Sequence, residues 1–327
     1  MKTLITGAAG LIGSHLVRSL LDLDREVIIT DDFSRGSQQN LDDLKIPNEC
    51  LVADLKYFDK VLRLTKGVDT VFHLAAKVGS VDYLHGSDAK ELDAMQINIA
   101  IDTNVLKSCV DNGVKKIIYA SSVSVYPIHL QQRQNIVFEE DDLQISDKIQ
   151  GEINPEGGYG WAKFMGEVQL ALMTETKVGI ARIFNTYGDN AALGASSHVV
   201  QALISKAIRY PKEQFVVWGD GKQTRDFLYV SDCVNALLKL EEKASFPPVV
   251  VNIGSDKEIS IGTLAEKIVK ISGKSLKIKY DTSKPIGPIS RSPVTTKARE
   301  ILGWKDVVTL EEGLKKTYVW VEKRLSK

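Results

Sequence analysis

Tyr159 and Lys163 stand four apart in Tyr159-Gly160-Trp161-Ala162-Lys163. On a helix that spacing puts both side chains on one face, one turn apart. An ammonium beside a phenol favours the phenolate. The pair therefore predicts a Tyr159 pKa that falls toward neutrality and a phenol able to shuttle a proton. Tyr-x-x-x-Lys also arises on ordinary solvated helix faces, so the pair needs company. A second feature lies near the N-terminus, where Thr6-Gly7-Ala8-Ala9-Gly10-Leu11-Ile12-Gly13 joins a short apolar run to a helical one. Glycines there let the backbone turn tightly and approach a pyrophosphate, while the helix N-terminus offers free N–H groups and a positive dipole end. The Gly-x-x-Gly-x-x-Gly spacing departs from the commoner Gly-x-Gly-x-x-Gly, but its place between strand and helix is right. Eighteen residues after Gly13 the chain reaches Asp31-Asp32. A carboxylate there, Asp31 foremost, accepts from both ribose hydroxyls of an adenosine and repels a 2′-phosphate, which favours NAD over NADP. Arg35 pulls slightly the other way. Asp54-Leu55 is placed to contact adenine, and His73-Leu74-Ala75-Ala76 sets small residues against the cofactor.

The elements that must carry these residues alternate. Residues Lys2–Thr6, Glu26–Thr30, Glu49–Ala53, Thr70–His73 and Lys115–Ala120 read as strands. Leu11–Leu21 and Leu92–Asn112 read as helices, the second stopped by Gly113. Alternation of this kind with apolar strands predicts an α/β fold whose parallel sheet is covered on both faces. Residues 127–158 break the rhythm. Their acidic run Glu139-Glu140-Asp141-Asp142 is expected to be a solvated loop, with a lid over the site as the other option. The helix that begins at Tyr159 is expected to run to about Thr176, followed by a strand at Val178–Arg182. Past residue 183, helices are expected at Ser197–Arg209, Ser231–Glu242, Ser260–Ile271, Thr295–Leu302 and Leu310–Leu325, with Ser260 as a cap. Strands are expected at Gln214–Trp218, Val249–Ile253 and Leu276–Tyr280. A smaller second domain built from these pieces would close over the carboxyl ends of the strands, where open α/β sheets bind ligands.

Bulk properties narrow the partners. The 327 residues carry 42 basic and 42 acidic side chains, so no charge excess points to nucleic acid or a membrane surface. Three cysteines, Cys50, Cys109 and Cys233, are too scattered for a zinc pattern or a disulfide framework and read as reduced, buried thiols. The N-terminus runs straight into a strand and does not read as a signal peptide. No apolar run approaches a membrane span.

With these residues in place, the chain resembles the extended short-chain dehydrogenase/reductase family over nearly its whole length, specifically the NAD-dependent nucleotide-sugar epimerases and dehydratases. The glycine turn is similar to that family's cofactor fingerprint. His73-Leu74-Ala75-Ala76 and Asn98 are similar to its fourth-strand and following-helix markers. Ser121-Ser122-Val123-Ser124-Val125-Tyr126 is similar to its serine motif, and Tyr159 with Lys163 to its catalytic pair. Arg182-Ile183-Phe184-Asn185-Thr186-Tyr187-Gly188 and Arg225-Asp226-Phe227 are similar to its substrate-side motifs. The resemblance implies a Rossmann-type doubly wound sheet over residues 1–183, joined by about 222–245, and a substrate domain mainly over 184–327. It implies NAD held by Gly7, Gly10, Leu11, Ile12, Gly13, Asp31, Asp32, Asp54, Leu55, Leu74, Ala75, Ala76, Asn98, Tyr159 and Lys163. Tyr159 would take the proton of a sugar hydroxyl as hydride leaves the same carbon for NAD. Ser122 would steady the oxygen, and Lys163 would lower the Tyr159 pKa and bind the nicotinamide ribose. Lys77, Ser122, Ser124 and Asn185 would face the nucleotide-diphosphate sugar. Arg225 and Arg291 would clamp its phosphates with planar forks of donors. A cytoplasmic homodimer, packed through helix 92–112 and the Tyr159 helix, follows from analogy alone.

Position 124 separates the reactions of the family. Its 4,6-dehydratases carry an Asp-Glu pair where this chain has Val123-Ser124. The decarboxylases carry Glu at the second position, and the GDP-mannose 3,5-epimerases and GDP-fucose synthases carry Cys. A neutral hydroxyl is a poor base, and Ser124 is similar to the small Thr of the UDP-galactose 4-epimerases. The expected function is therefore an NAD-dependent nucleotide-sugar 4-epimerase acting on a UDP-hexose, UDP-N-acetylhexosamine or UDP-uronate. Tyr126-Pro127, Ser197-His198-Val199-Val200, Lys206-Ala207 and Trp218-Gly219-Asp220-Gly221 are similar instead to the GDP-sugar branch. There Lys206 matches a catalytic lysine, although an exposed helix lysine is the plainer expectation. A 3,5-epimerase-like or reductase activity on a GDP-sugar is the alternative. A non-catalytic NAD-binding scaffold is the third reading.

Overall fold

The computed structural model describes residues 1–44, 46, 51–79, 86–145 and 149–326. Its centre is a parallel seven-stranded sheet. In chain order the strands are β1 (Lys2–Thr6), β2 (Glu26–Asp31), β3 (Leu51–Val52), β4 (Thr70–His73), β5 (Lys116–Ser122), β8 (Lys177–Ile183) and β13 (Val249–Ile253), arranged as β13-β8-β5-β4-β1-β2-β3. Side chains alternate across each strand, so neighbouring apolar residues enter different cores. Ile5, Phe72, Ile118 and Ala181 face α1 (Leu11–Asp22) and α7 (Val230–Lys243), packing with Leu16, Leu20, Leu237 and Leu240. Leu4, Val71, Ile117 and Ile180 face α2 (Phe58–Leu64), α3 (Asp88–Asp111) and α5 (Gly157–Ala171), packing with Val61, Val105, Leu106 and Leu170. Both faces are covered, as near-continuous apolar strands require. The chain winds outward in both directions from β1, so the carboxyl ends of β1 and β4 border a cleft.

The sheet crosses the division expected at residue 183. Strand β13 pairs along β8 from Val249↔Gly179 to Ile253↔Ile183. The remaining elements are small. Strands β6 (Leu143–Ile145) and β7 (Ile149–Gly151) form an antiparallel pair, β9 (Thr186–Tyr187) and β12 (Leu228–Tyr229) a parallel one, β10 (Val216–Trp218) and β15 (Lys279–Asp281) another parallel one, and β11 (Thr224–Asp226) and β14 (Glu258–Ser260) an antiparallel one. Helices α6 (Val199–Arg209), α8 (Ile261–Ser272) and α10 (Leu310–Leu325) pack through Leu203, Ile204, Leu264, Ile268, Leu314 and Val321. Ser260 caps α8, its Oγ accepting the Thr263 N–H at 3.0 Å.

Within the acidic run Glu139, Asp141 and Asp142 are exposed, as expected of a solvated loop, but Glu140 is not. Glu140 is buried and its carboxylate accepts the Asn252 N–H of β13 at 2.6 Å. Glu139 and Asp142 form a capping box around the 3₁₀ turn Glu140–Asp142, and Asp141 pairs with Lys297 at 2.7 Å. Phe138 exchanges backbone hydrogen bonds with Ser292 and Val294 at 2.9 and 2.8 Å. This stretch is stitched to the sheet and to the C-terminal segment. Glu49, Cys50 and Ser80 lie outside the described residues, and the third strand begins at Leu51.

Candidate active site

At the cofactor end, Gly7 has φ +69°, and a Cβ there would lie 2.8 Å from the Ala75 nitrogen. A Cβ on Gly13 would lie 2.1 Å from the Gly7 carbonyl oxygen. Only glycine lets β1, the turn and α1 close this tightly. Gly10 is the N-cap of α1 without a side-chain cap, leaving the first-turn N–H groups at Leu11 and Ile12 for an anion. Asp31 ends β2, its two oxygens accepting the Ala9 and Phe33 N–H groups at 2.9 and 2.8 Å. Burial raises its pKa, against the pull of those backbone bonds. It therefore locks the second strand to the glycine turn. Asp32 is exposed and bonded to Ser34 within its own turn. Asp54 accepts the Lys56 N–H at 3.0 Å, and Leu55 is buried. The Leu74 and Ala75 N–H groups both donate to Thr6 Oγ1 at 3.1 Å, and Ala76 packs on Tyr159. Asn98 spends its whole amide on backbone, bonding the N–H and carbonyl of Lys77 at 2.7 and 3.0 Å and the Ala94 carbonyl at 2.9 Å. It shapes the segment after β4, while the Lys77 ammonium pairs with Asp93.

The proton-transfer residues meet where β5 ends. Ser122 closes the strand, its Oγ accepting the Ser124 N–H at 3.2 Å, and its hydroxyl acts to lower the pKa of the Tyr159 phenol. Helix α5 brings Tyr159 and Lys163 in on one face, both buried. It comes close because a Cβ on Gly160 would sit 2.3 Å from the Ser124 carbonyl oxygen. Lys163 Nζ is buried without a hydrogen-bond partner, 3.9 Å from Asp102 Oδ1 and 4.5 Å from the Tyr119 ring centre. Asp102 anchors a buried chain. It accepts from Tyr119 Oη and, at 3.0 Å, from His73 Nε2, while His73 Nδ1 meets Thr6 Oγ1 at 2.8 Å. Burial pushes the His73 pKa down. A neutral ring that donates from Nε2 and accepts at Nδ1 satisfies both contacts.

These charges correct the expected Tyr159 pKa. The phenol is pushed up to about 12 by burial, with Asp102 and Glu156 adding to the rise and the Ser122 hydrogen bond and Arg35 opposing it. The charge of Lys163 is answered by Asp102, so little of it is left for the phenol. Burial lowers the Lys163 pKa, while Asp102 and Glu167 resist. Burial acts to raise the Asp102 carboxyl, but Lys163, His73 and Tyr119 outweigh it and hold it below the usual range. Asp102 was missed in the sequence, although a charge between Ile101 and Val105 on an apolar helix face was the available signal.

On the substrate side, Asn185 Nδ2 donates to Asp226 Oδ1 at 2.6 Å. Arg225 is buried, with its guanidinium donating to the Thr224 and Pro288 carbonyls at 2.6 and 2.7 Å. Burial and the neighbouring Arg291 push its pKa down to about 9. Two guanidiniums close enough to repel make a seat for an anion. Arg291 donates from Nε to Gln131 Oε1 at 2.6 Å and pairs with Glu156, whose Oε2 also accepts from Ser124 Oγ at 2.9 Å. Glu156, read only as part of a loop ending, joins Ser124 to Arg291. Lys206 is not the exposed helix lysine that was expected. It is half-buried and donates to the Val216 carbonyl of β10 at 2.6 Å.

The sequence profile of the NAD dependent epimerase/dehydratase family matches residues 3–254. The chain belongs to this family. GDP-mannose 3,5-epimerase 1 of Oryza sativa subsp. japonica is 31% identical over 332 residues, spanning 100% of this chain and 83% of that protein. The UDP-N-acetyl-alpha-D-glucosaminuronate decarboxylase of Bacillus cytotoxicus is 32% identical over 98% of this chain and 97% of its own length. The Thermotoga maritima UDP-glucose 4-epimerase with UDP-glucose superposes with a TM-score of 0.84 at 28% identity, covering 99% of this chain and 100% of that one. The Bacillus cereus UDP-glucuronic acid 4-epimerase, in complex with UDP-glucuronic acid and NAD, does so at 0.84 and 27%, with 99% and 100% coverage.

As a member, the protein is an NAD-dependent enzyme of nucleotide-sugar chemistry. Its residues fit the cofactor. The buried Nζ of Lys163, which has no hydrogen bond, the uncapped start of α1 and the carboxylate at the end of β2 are three polar features suited to it. Among the described residues no group of three His, Cys, Asp or Glu side chains is arranged to hold a metal. No helix there is long and apolar enough to cross a membrane. Cys109 and Cys233 are buried, and burial pushes both thiols up.

Proposed function

We propose that the protein is a nucleotide-sugar 4-epimerase, which oxidises the sugar at C4 and reduces it again from the other face. The observation that carries this reading is the buried Tyr159 phenol with the Ser122 hydroxyl acting on it and a Lys163 ammonium that has no hydrogen bond, with a hydroxyl at position 124. Tyr159 takes the C4 hydroxyl proton and returns it, and Ser122 donates to the same oxygen as charge builds there. NAD, when bound, would accept the hydride and return it. Lys163 would hold the nicotinamide ribose, the Leu11 and Ile12 N–H groups the pyrophosphate, and Asp31 the adenosine ribose. Asn185, Arg225 and Arg291 hold the sugar diphosphate. Incubation with UDP-glucose, UDP-N-acetylglucosamine, UDP-glucuronate and GDP-mannose, followed by separation of products, tests this. No epimer from any of them sinks it.

A second reading, 3,5-epimerisation of a GDP-sugar, is favoured by the 31% identity to the rice enzyme over the whole chain. Solvent deuterium at C3 or C5 separates the two. A homodimer belongs to the same proposal. Trp161, Met165 and Leu172 on and just beyond α5, with Leu92 and Val110 on α3, leave apolar surface exposed. Light scattering at the monomer mass would refute it.

A further inference from the structure

Asp102 carries a charge that its hydrogen bonds do not require. It lies on α3, 0% exposed, and accepts from Tyr119 Oη and, at 3.0 Å, from His73 Nε2. A neutral carbonyl would accept from both, since an imidazole and a phenol are uncharged donors. Burying a carboxylate instead is costly without a cation, and the cation present is Lys163, 3.9 Å away. The two attract without a hydrogen bond, because Lys163 Nζ makes none. Asp102 therefore cancels the charge of the lysine and leaves its N–H donors uncommitted. Its buried neighbours add no net charge among the described residues. Burial keeps the His73 ring neutral and the Tyr119 phenol protonated, and Arg182 is matched by Glu167 at 2.9 Å. The floor beneath Tyr159 thus sets two cations against two carboxylates.

We propose that Asp102 sets the redox balance of the bound nicotinamide, holding it toward the oxidised form by cancelling the charge of Lys163. The inference rests on the placement of the nicotinamide ribose at Lys163 argued above, and it gives Asp102 a role that inversion at C4 does not itself demand. Only the oxidised ring is charged. A lone buried ammonium beside it would repel that form, with little water between them to screen the repulsion, and so would favour the reduced ring. An ionised Asp102 removes this bias, and Lys163, His73 and Tyr119 all act to keep it ionised. The consequence reaches the sugar. Oxidation at C4 sends the C–H electron pair to the ring and the hydroxyl proton to Tyr159, and the return step reverses both. A site that favours the oxidised ring makes the outward step the uphill one. The 4-keto sugar then stays scarce and is reduced again before it escapes. Asp102 acts through Lys163, so it is a positioning residue rather than a catalytic one.

The test is a redox titration of the full-length protein loaded with NAD, run with low-potential mediators and read from the absorbance of reduced nicotinamide. It contains no sugar, so its outcome is independent of which epimer, if any, the enzyme forms. Asp102→Asn keeps an acceptor for His73 and leaves Lys163 uncompensated. At a fixed potential it is expected to raise the reduced-to-oxidised ratio about tenfold, which is a midpoint about 30 mV higher for a two-electron couple. Lys163→Met leaves the carboxylate alone and should move the midpoint the other way. The double variant carries neither charge, and its ratio should return to within about threefold of wild type. It buries no unpaired ion, so its comparison with Lys163→Met reports on Asp102 even where Asp102→Asn alone does not fold. A midpoint unmoved by Asp102→Asn, or equal in Lys163→Met and the double variant, overturns the role of Asp102 while Lys163 keeps its place. No shift in any of the three overturns the nicotinamide placement as well.

Discussion

Lys163 and Arg182 are both buried cations beneath the same site, and they are treated in opposite ways. Arg182, on β8, donates to Glu167 at 2.9 Å, to Tyr126 Oη at 3.1 Å, and to the Glu140 and Leu143 carbonyls at 3.3 and 2.6 Å. Burial works against its charge, but Glu167 and Tyr126 outweigh it and hold the guanidinium above its ordinary pKa. Glu167 also accepts from Ser121, so this network ties β5, β8 and α5 together behind Ser122. Lys163 has a carboxylate at 3.9 Å and no hydrogen bond. A buried donor without an acceptor is expensive. A saturated cation serves as scaffold, and an unsaturated one is held for a ligand.

The largest expected effect comes from the unsaturated side. Lys163→Met or Tyr159→Phe should lower kcat/KM for epimer formation about a thousandfold. Activity within tenfold of wild type in Tyr159→Phe would remove Tyr159 as the proton-transfer residue. Arg182→Met tests the saturated side. It leaves Glu167 buried and uncompensated, so urea melts should show a loss of about 3–5 kcal/mol, with hydride transfer surviving in the folded fraction. An unchanged urea midpoint would erase the contrast between the two cations.

Asp102→Asn should have a subtler effect. Asp102 raises both Tyr159 and Lys163, so its removal should move the Tyr159-governed limb of the kcat/KM profile about one unit toward acid. A shift toward alkali would refute the assignment. The smallest effect concerns stability. Burial pushes the Asp226 carboxyl up to about 7 from 3.8. The native state then keeps a proton that the unfolded chain has released. This contribution is full below the unfolded value and is lost as pH rises through the folded one. Between these limits the melting temperature of Asp226→Asn should fall less with pH than that of wild type.

What was legible in the sequence was local. The glycine turn, the strands and the Tyr159–Lys163 spacing depend on residues a few positions apart, where steric limits and helical period apply directly. The helix expected at Leu310–Leu325 has those bounds, its start closed by a capping box of Thr309 and Glu312. Lys206 and Glu140 were misjudged because each is defined by a partner far along the chain, Val216 on β10 and Asn252 on β13. Composition describes such residues as exposed charges, and only packing reveals an acceptor.

By itself the sequence determined the α/β class, the nucleotide-binding turn and the residues able to oxidise an alcohol, because these follow from backbone sterics and short-range periodicity. Tertiary structure alone decided how those residues are charged. It buried the Tyr159 phenol beside Asp102, which together hold its pKa high, and it set Asp102 against Lys163. It also folded Glu156 onto Ser124 and Arg291, from positions 32 and 135 residues away. The physical reason is that burial and Coulomb interaction depend on distance through space, which the order of residues does not record.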